Sequence, residues 1–151
     1  LTGTAYSGYG NSLNNIINGN NYNNYLSGGD GNDTLVGGFG NDILTGGTDA
    51  DKFVFNSRNE GIDTITDFIS QQGDKLLVSA SGFGGGLSLG ALSSSQFTIG
   101  AAASDASDRF IYNSFTGGLF FDSDGTGTSS QVQFAKLSTG LNLIASDFVV
   151  V

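Results

Sequence analysis

GNSLNNIIN (10–18), GNNYNNYLS (19–27), GGDGNDTLV (28–36), GGFGNDILT (37–45) and GGTDADKFV (46–54) follow one another with no slip of register. Glycine opens each block at Gly10, Gly19, Gly28, Gly37 and Gly46. The sixth place holds Asn15, Asn24, Asp33, Asp42 and Asp51, and the eighth holds Ile17, Leu26, Leu35, Leu44 and Phe53. A unit of nine cannot bury its own apolar residue and must stack on its neighbours. Places one to six read as a loop, where glycine admits positive φ at little steric cost. Places seven to nine read as a short strand whose middle side chain faces inward. Two blocks therefore make one coil. A flexible linker shares this composition, but it has no reason to hold five large apolar residues at one phase.

The middle blocks fit the pattern G-G-x-G-x-D-x-U-x, with U a large aliphatic residue, and resemble the calcium-binding RTX nonapeptide repeat. The resemblance implies an all-β, right-handed parallel β-roll in which the loop of block n lies beside that of block n+2, with Ca²⁺ between them. It points to Gly28, Gly29, Gly31, Asp33, Gly37, Gly38, Gly40, Asp42, Gly46, Gly47, Asp49 and Asp51 as the metal-binding residues. The leading site lies between loops 28–33 and 46–51, with Asp33 and Asp51 as carboxylate ligands. Loop 37–42 needs a partner, either loop 19–24 or the irregular stretch after Phe55. Stacking these loops also brings Asp30, Asp33, Asp42, Asp49 and Asp51 together with no Lys or Arg among them, and like charges oppose folding. A hard cation taking six to eight oxygens suits carboxylates and loop carbonyls, whereas zinc favours the His or Cys that the chain lacks. Blocks 10–18 and 19–27 carry Asn at place six and Leu13 or Tyr22 at place four, so they are expected to bind calcium weakly or not at all and to be held by amide ladders.

After Gly61 the beat gives way to strands at 62–68, 74–81, 97–100, 109–113, 118–125, 131–137 and 141–151, marked by alternating apolar residues and Gly/Ser turns. The expected organisation is one module, with repeats over 1–60 and a β-sandwich-like cap over 61–151. Its core draws on Phe68, Leu76, Val78, Phe97, Ile99, Phe110, Ile111, Leu119, Phe121, Phe134, Leu143 and Phe148. The segment from Asp63 to Leu77 resembles the stretch that follows the repeats in serralysin-type secreted proteases, which implies Asp67 and Asp74 as further ligands; exposed turn residues are the alternative. Asp122-Ser-Asp-Gly-Thr-Gly127 reads as a turn. An EF-hand-like loop would want an acid where Gln133 stands.

The ending, Ala145–Val151, looks like the uncleaved signal of proteins exported by type I secretion; a last β-strand is compatible with that role. Deleting 147–151 is expected to abolish export and leave metal affinity intact. A net charge of −9 argues against nucleic acid or an anionic membrane as partner, and no apolar run is long enough to span a bilayer. With no cysteine, calcium takes the stapling role that disulfides fill in many secreted chains. The lack of histidine excludes a His-based triad and a His-ligated zinc site, and no nucleophile elbow, P-loop or dinucleotide motif is present. A non-enzymatic, secreted, extracellular calcium module is the expectation. Starting at Leu1, it resembles the tail half of a larger protein whose upstream catalytic or toxin region carries the activity. The other class is an adhesin, surface-layer or polysaccharide-binding module, with Tyr6, Tyr9, Tyr22, Tyr25 and Tyr112 as first contacts; Tyr22 and Tyr25 read more readily as core-edge or strand residues.

Overall fold

A computed structural model describes all of residues 1–151. The repeats form β1 (Ser7–Tyr9), β2 (Ile16–Asn18), β3 (Tyr25–Gly29), β4 (Thr34–Val36), β5 (Ile43–Gly47) and β6 (Lys52–Phe55). Beyond them come β7 (Asp63–Ile65), β8 (Lys75–Val78), β9 (Gly90–Ala91), β10 (Phe97–Ile99), β11 (Phe110–Asn113), β12 (Gly118–Phe121), β13 (Val132–Lys136) and β14 (Phe148–Val150). Helix is confined to Ala80–Phe83 and three single turns of 3₁₀.

Successive strands alternate between two sheets, as two blocks per coil require. One sheet runs β1-β3-β5-β7-β13-β12-β11-β10 and the other β2-β4-β6-β8-β14-β9. Within the repeats every pairing is parallel, and Tyr25 faces Ile43 as Thr34 faces Lys52. Leu26, Leu44 and Ile65 then stack in one sheet, and Leu35, Phe53, Leu76 and Phe148 in the other. All seven are at most 1 % exposed. Ile17, on the outermost coil, has a neighbour on one side only and is half-buried.

The parallel ladder does not stop at residue 60. β7 pairs with β5 and β8 with β6, so the coils continue through Val78. The cap extends the same two sheets. β13 adds to β7 in parallel, β12 and β11 follow antiparallel, and β14 adds to β8. The junction is filled by aromatic rings: Phe83 meets Phe134 at 5.0 Å and Phe121 at 5.2 Å, and Phe55 meets Phe134 at 5.1 Å between centroids. Edge-to-face contacts of this kind add to the area each ring buries.

Four expectations need correction. Ile99 lies on the edge strand β10 and is exposed rather than in the core. Tyr112 is buried, donating its hydroxyl hydrogen to the Ser138 carbonyl at 2.5 Å, and is no surface contact. Tyr25 is a strand residue, as expected, at the exposed start of β3, but Tyr22 lies on the loop before it, 56 % exposed, and is neither core-edge nor strand. The ending is not an eleven-residue strand: a turn at Ala145–Asp147 precedes three strand residues. Buried Asp147 accepts from the Ser70 hydroxyl at 2.6 Å and the Ile144 amide at 2.9 Å, with the Lys75 ammonium at 3.7 Å. The tail is therefore stitched to β8, the strand that follows Asp74, and its removal cannot be silent. Phe148→Ala should cost about 3–5 kcal/mol, and deletion of 147–151 more than that. Urea denaturation at saturating calcium measures both.

Candidate metal centre

The sixth-place side chains form two lanes along the roll. In the first, the amides of Asn15, Asp33 and Asp51 donate to Oδ1 of Asp33, Asp51 and Asp74 at 2.7, 2.9 and 3.0 Å. In the second, the Asn24 and Asp42 amides donate to Oδ1 of Asp42 and Asp63 at 2.7 and 3.0 Å. The step is 18 residues inside the repeats and becomes 21 at Asp63 and 23 at Asp74. Asp63 thus holds a rung that sequence reasoning missed, because three extra residues conceal its phase.

A second ladder runs the other way. Oδ1 of Asn14 and Asn32 accept from the Asn32 and Ala50 amides at 2.9 and 3.0 Å, and Oδ1 of Asn23 and Asn41 from the Asn41 and Ile62 amides at 2.9 and 2.8 Å. The signal for it was asparagine at place five of the first four blocks. These bonds bring loop 37–42 against both of its possible partners, loop 19–24 and the stretch ending at Asp63.

Once Oδ1 is committed to the ladder, the second oxygen of the carboxylate is left over. Oδ2 of Asp33, Asp42 and Asp51 is buried with no hydrogen-bond partner, in residues only 1 % exposed. A buried oxygen without a partner is costly, and more so when charged. Each lies where a side chain on the first glycine of its own loop would go. A Cβ on Gly28 would strike Asp33 Oδ2, on Gly37 Asp42 Oδ2, and on Gly46 Asp51 Oδ2. The Gly46 carbonyl faces the same space at Gly28, and Asp63 Oδ2 the same space at Gly37. No three acidic side chains converge on one point, so any cation held here needs backbone carbonyls beside one or two carboxylates. That donor set, oxygen only, fits calcium.

The asparagine loops are closed differently. Asn15 and Asn24 turn Oδ1 back onto the amides of Asn11 and Asn20, at 2.7 and 2.8 Å, which leaves no orphan oxygen. Place four separates the two kinds of loop as well. Gly31, Gly40 and Asp49 sit at φ of 98°, 119° and 74°, whereas Leu13 and Tyr22 avoid positive φ, which costs a side-chain-bearing residue about 1–2 kcal/mol.

The remaining candidates are engaged elsewhere. Asp49 is exposed, with Oδ2 3.3 Å from the Gly31 amide. Asp67 spans the Gly46 and Gly47 amides at 3.0 and 2.8 Å. Asp74 Oδ2 accepts from the Ile69 amide at 2.8 Å. Gly29, Gly38 and Gly47, at φ of 113°, 90° and 112°, turn the loops. In the 122–127 loop, Asp122 Oδ1 takes the Asp124 amide at 3.1 Å and Asp124 Oδ2 the Ser129 amide at 3.1 Å, so both carboxylates brace the turn.

Burial dominates the electrostatics of the lanes. It pushes Asp63 up to about 7 against the pull of the Asp42 amide, with Asp42 and Glu60 adding repulsion. Asp51 rises to about 6 through burial, with Asp74, Asp33 and Asp67 contributing. Asp42 and Asp74 are raised as well, again chiefly by burial. These folded-state values lie above the ordinary aspartate value near 3.9, so the folded chain holds protons that the unfolded chain has released. Stability without metal therefore falls as pH rises from about 4 towards about 7. Melting curves in chelator across that range should show the fall, and excess calcium should flatten it.

Residues 9–44 and 27–56 match the profile of the RTX calcium-binding nonapeptide repeat, four copies. The segment 9–56, about a third of the chain, consists of such repeats. Curated protein sequences give no match. Among solved structures, the chain is similar to the AlgE6R3 subunit of the Azotobacter vinelandii mannuronan C5-epimerase, at 21 % identity over 91 % of this chain and 78 % of that one, with a TM-score of 0.30. So low a score carries nothing about substrate.

Proposed function

We propose that this chain is a non-catalytic module that folds when it meets extracellular calcium and guides type I secretion of a larger protein. One observation carries the reading: three buried carboxylate oxygens, on Asp33, Asp42 and Asp51, occupy the space left by the first glycine of each loop and have no hydrogen-bond partner. Calcium would supply the missing positive charge and turn repulsion between rungs into a cross-link.

Asp33 and Asp51, with carbonyls around Gly28, Gly29, Gly31, Gly46 and Gly47, would hold one ion. Asp42 and Asp63, with carbonyls around Gly37, Gly38 and Gly40, would hold another. Asp51 and Asp74 border a third position at the end of the first lane, where Asp67 braces the Gly46 and Gly47 amides, and Asp49 serves the turn above it. At a dissociation constant of roughly 10⁻⁴ M, each site contributes about 1–3 kcal/mol in millimolar calcium. Two or three sites then rival the whole stability of a domain, about 5–15 kcal/mol.

The export reading rests on the same linkage. In submicromolar cytosolic calcium the lanes repel and the chain stays open for threading; outside, the ion closes it. The lack of cysteine agrees with this. No helix is long and apolar enough to cross a membrane.

Far-ultraviolet circular dichroism during calcium titration tests the sites. Asp33→Ala, Asp51→Ala and Asp63→Ala should each raise the calcium midpoint several-fold, while Asp105→Ala, on an exposed turn, leaves it in place; equal midpoints would remove the assignment. Export needs a separate pair. The chain lacking 147–151 should stay inside cells that carry a type I apparatus, whereas Phe134→Ala, destabilised by loss of a buried ring but with residues 145–151 unchanged, should still be exported. Normal export of the truncated chain would end the tail's proposed role.

A further inference from the structure

The two edges of the roll differ in a way the calcium lanes do not require. Loops 19–24, 37–42 and 58–63 stack through the Asn23 and Asn41 side chains, and they lead into β3, β5 and β7. Tyr22, Phe39 and Ile62 stand exposed on these loops, and Tyr25 and Ile43 at the starts of the next strands. The register places Tyr25 beside Ile43 and then Thr64. On β1, Tyr9 is 71 % exposed, and its ring lies 5.8 Å from that of Tyr25. The corresponding outward places of β2, β4, β6 and β8 hold Ile16, Thr34, Lys52 and Lys75, with Asp30 and Asp49 on the loops between.

None of these outward side chains helps form the core, because place eight of each block faces inward. Exposed aromatic surface held in a row marks an interaction site. Three properties select its occupant. Residues 1–27 contain no charged side chain, and the only one in 37–45 is buried Asp42; on the third loop Arg58 and Glu60 are half-buried, the first over the Phe121 ring and the second accepting from the Asn56 amide. On a chain of net charge −9, an uncharged strip disfavours anionic polymers, which the rest of the surface repels. Tyr9 and Tyr25, on diagonal outward places of neighbouring strands, set their rings 5.8 Å apart, close to the length of one pyranose unit, and Ile43 and Thr64 continue the outward face at the strand spacing of about 4.7–4.9 Å. Asn21, Ser27 and Thr64, whose side chains make no bond within the roll, set an amide and two hydroxyls along the row, while Asn20, Asn23 and Thr45 hold the coils together. The one cleft of the molecule, about 200 Å³, lies elsewhere, between 68–71 and 140–143, so the strip is a platform and not a pocket.

We infer that this strip binds a linear, uncharged hexose polysaccharide along the roll axis, with Tyr9 and Tyr25 as the principal stacking platforms. The inference rests on the calcium-ordered roll, since the coils set the spacing of the platforms. With four of the five tyrosines exposed and no tryptophan present, tyrosine fluorescence reports binding directly. The full chain at saturating calcium is titrated with cellohexaose, mannohexaose and laminarihexaose, and with polymannuronate as the anionic counterpart, while circular dichroism in the same samples follows folding. Saturable binding of at least one neutral hexaose is expected, weakened at least tenfold by Tyr9→Ala/Tyr25→Ala and unchanged by Phe115→Ala, with the calcium midpoint constant in all three proteins. Failure of every neutral hexaose to bind a chain that folds normally with calcium would overturn the inference and leave the calcium reading standing. Polymannuronate binding that ignores the tyrosine variant would overturn it too, as would a calcium-dependent dimer that this variant dissolves in the absence of sugar binding.

Discussion

Carboxylates confined in a lane, each using one oxygen to hold the backbone of the coil before it, are the constraint from which the rest of the molecule follows. The bond from the Asp33 amide to Asp51, repeated at Asp51 and Asp74, fixes neighbouring loops at one height. It also gathers negative charge where water is scarce. Hydrogen bonding favours the charged form of each carboxylate and burial opposes it; at Asp51 and Asp63 burial wins. On the proposed calcium reading, a roll assembled this way needs a counter-charge at neutral pH, because its apolar column is only one side chain wide per block.

The cap answers part of that deficit. Phe55, Phe83, Phe110, Phe121, Phe134 and Phe148 form a knot of rings where the ladder ends. Because β13 and β14 add to strands of the roll itself, the knot seals the open end of both sheets. The opposite end has no such seal, and Ile17 remains half-buried there.

Much of this was legible in the sequence because a strict period ties chemistry to position: glycine, carboxylate and apolar residue at fixed offsets foretold the loops, the lanes and the column. The reading weakened where the period broke. Asp63 occupies a rung without announcing it, since the longer loop before it shifts the count. Ile99 and Tyr112 were misplaced because short strands of the cap alternate in the same way whether they lie at an edge or in the middle. Only pairing order, set by contacts far apart in the chain, separates β10 from β11. The asparagines of place five were visible as a column of letters, but amides serve many turns, and only the stacked backbone reveals what they grip.

Alternation of strands between the sheets also governs how such a chain can change its length. Gain or loss of eighteen residues adds or removes a whole coil and returns every later strand to its own sheet. Loss of nine residues, for instance 37–45, would leave β7 and β8 against the cap but send every strand before the break to the other sheet, setting Lys52 beside Tyr25 where Ile43 now stands. The two lanes would then be spliced into one another. The coil of two blocks, and not the single block, is thereby the unit whose gain or loss keeps each lane and each outer face continuous.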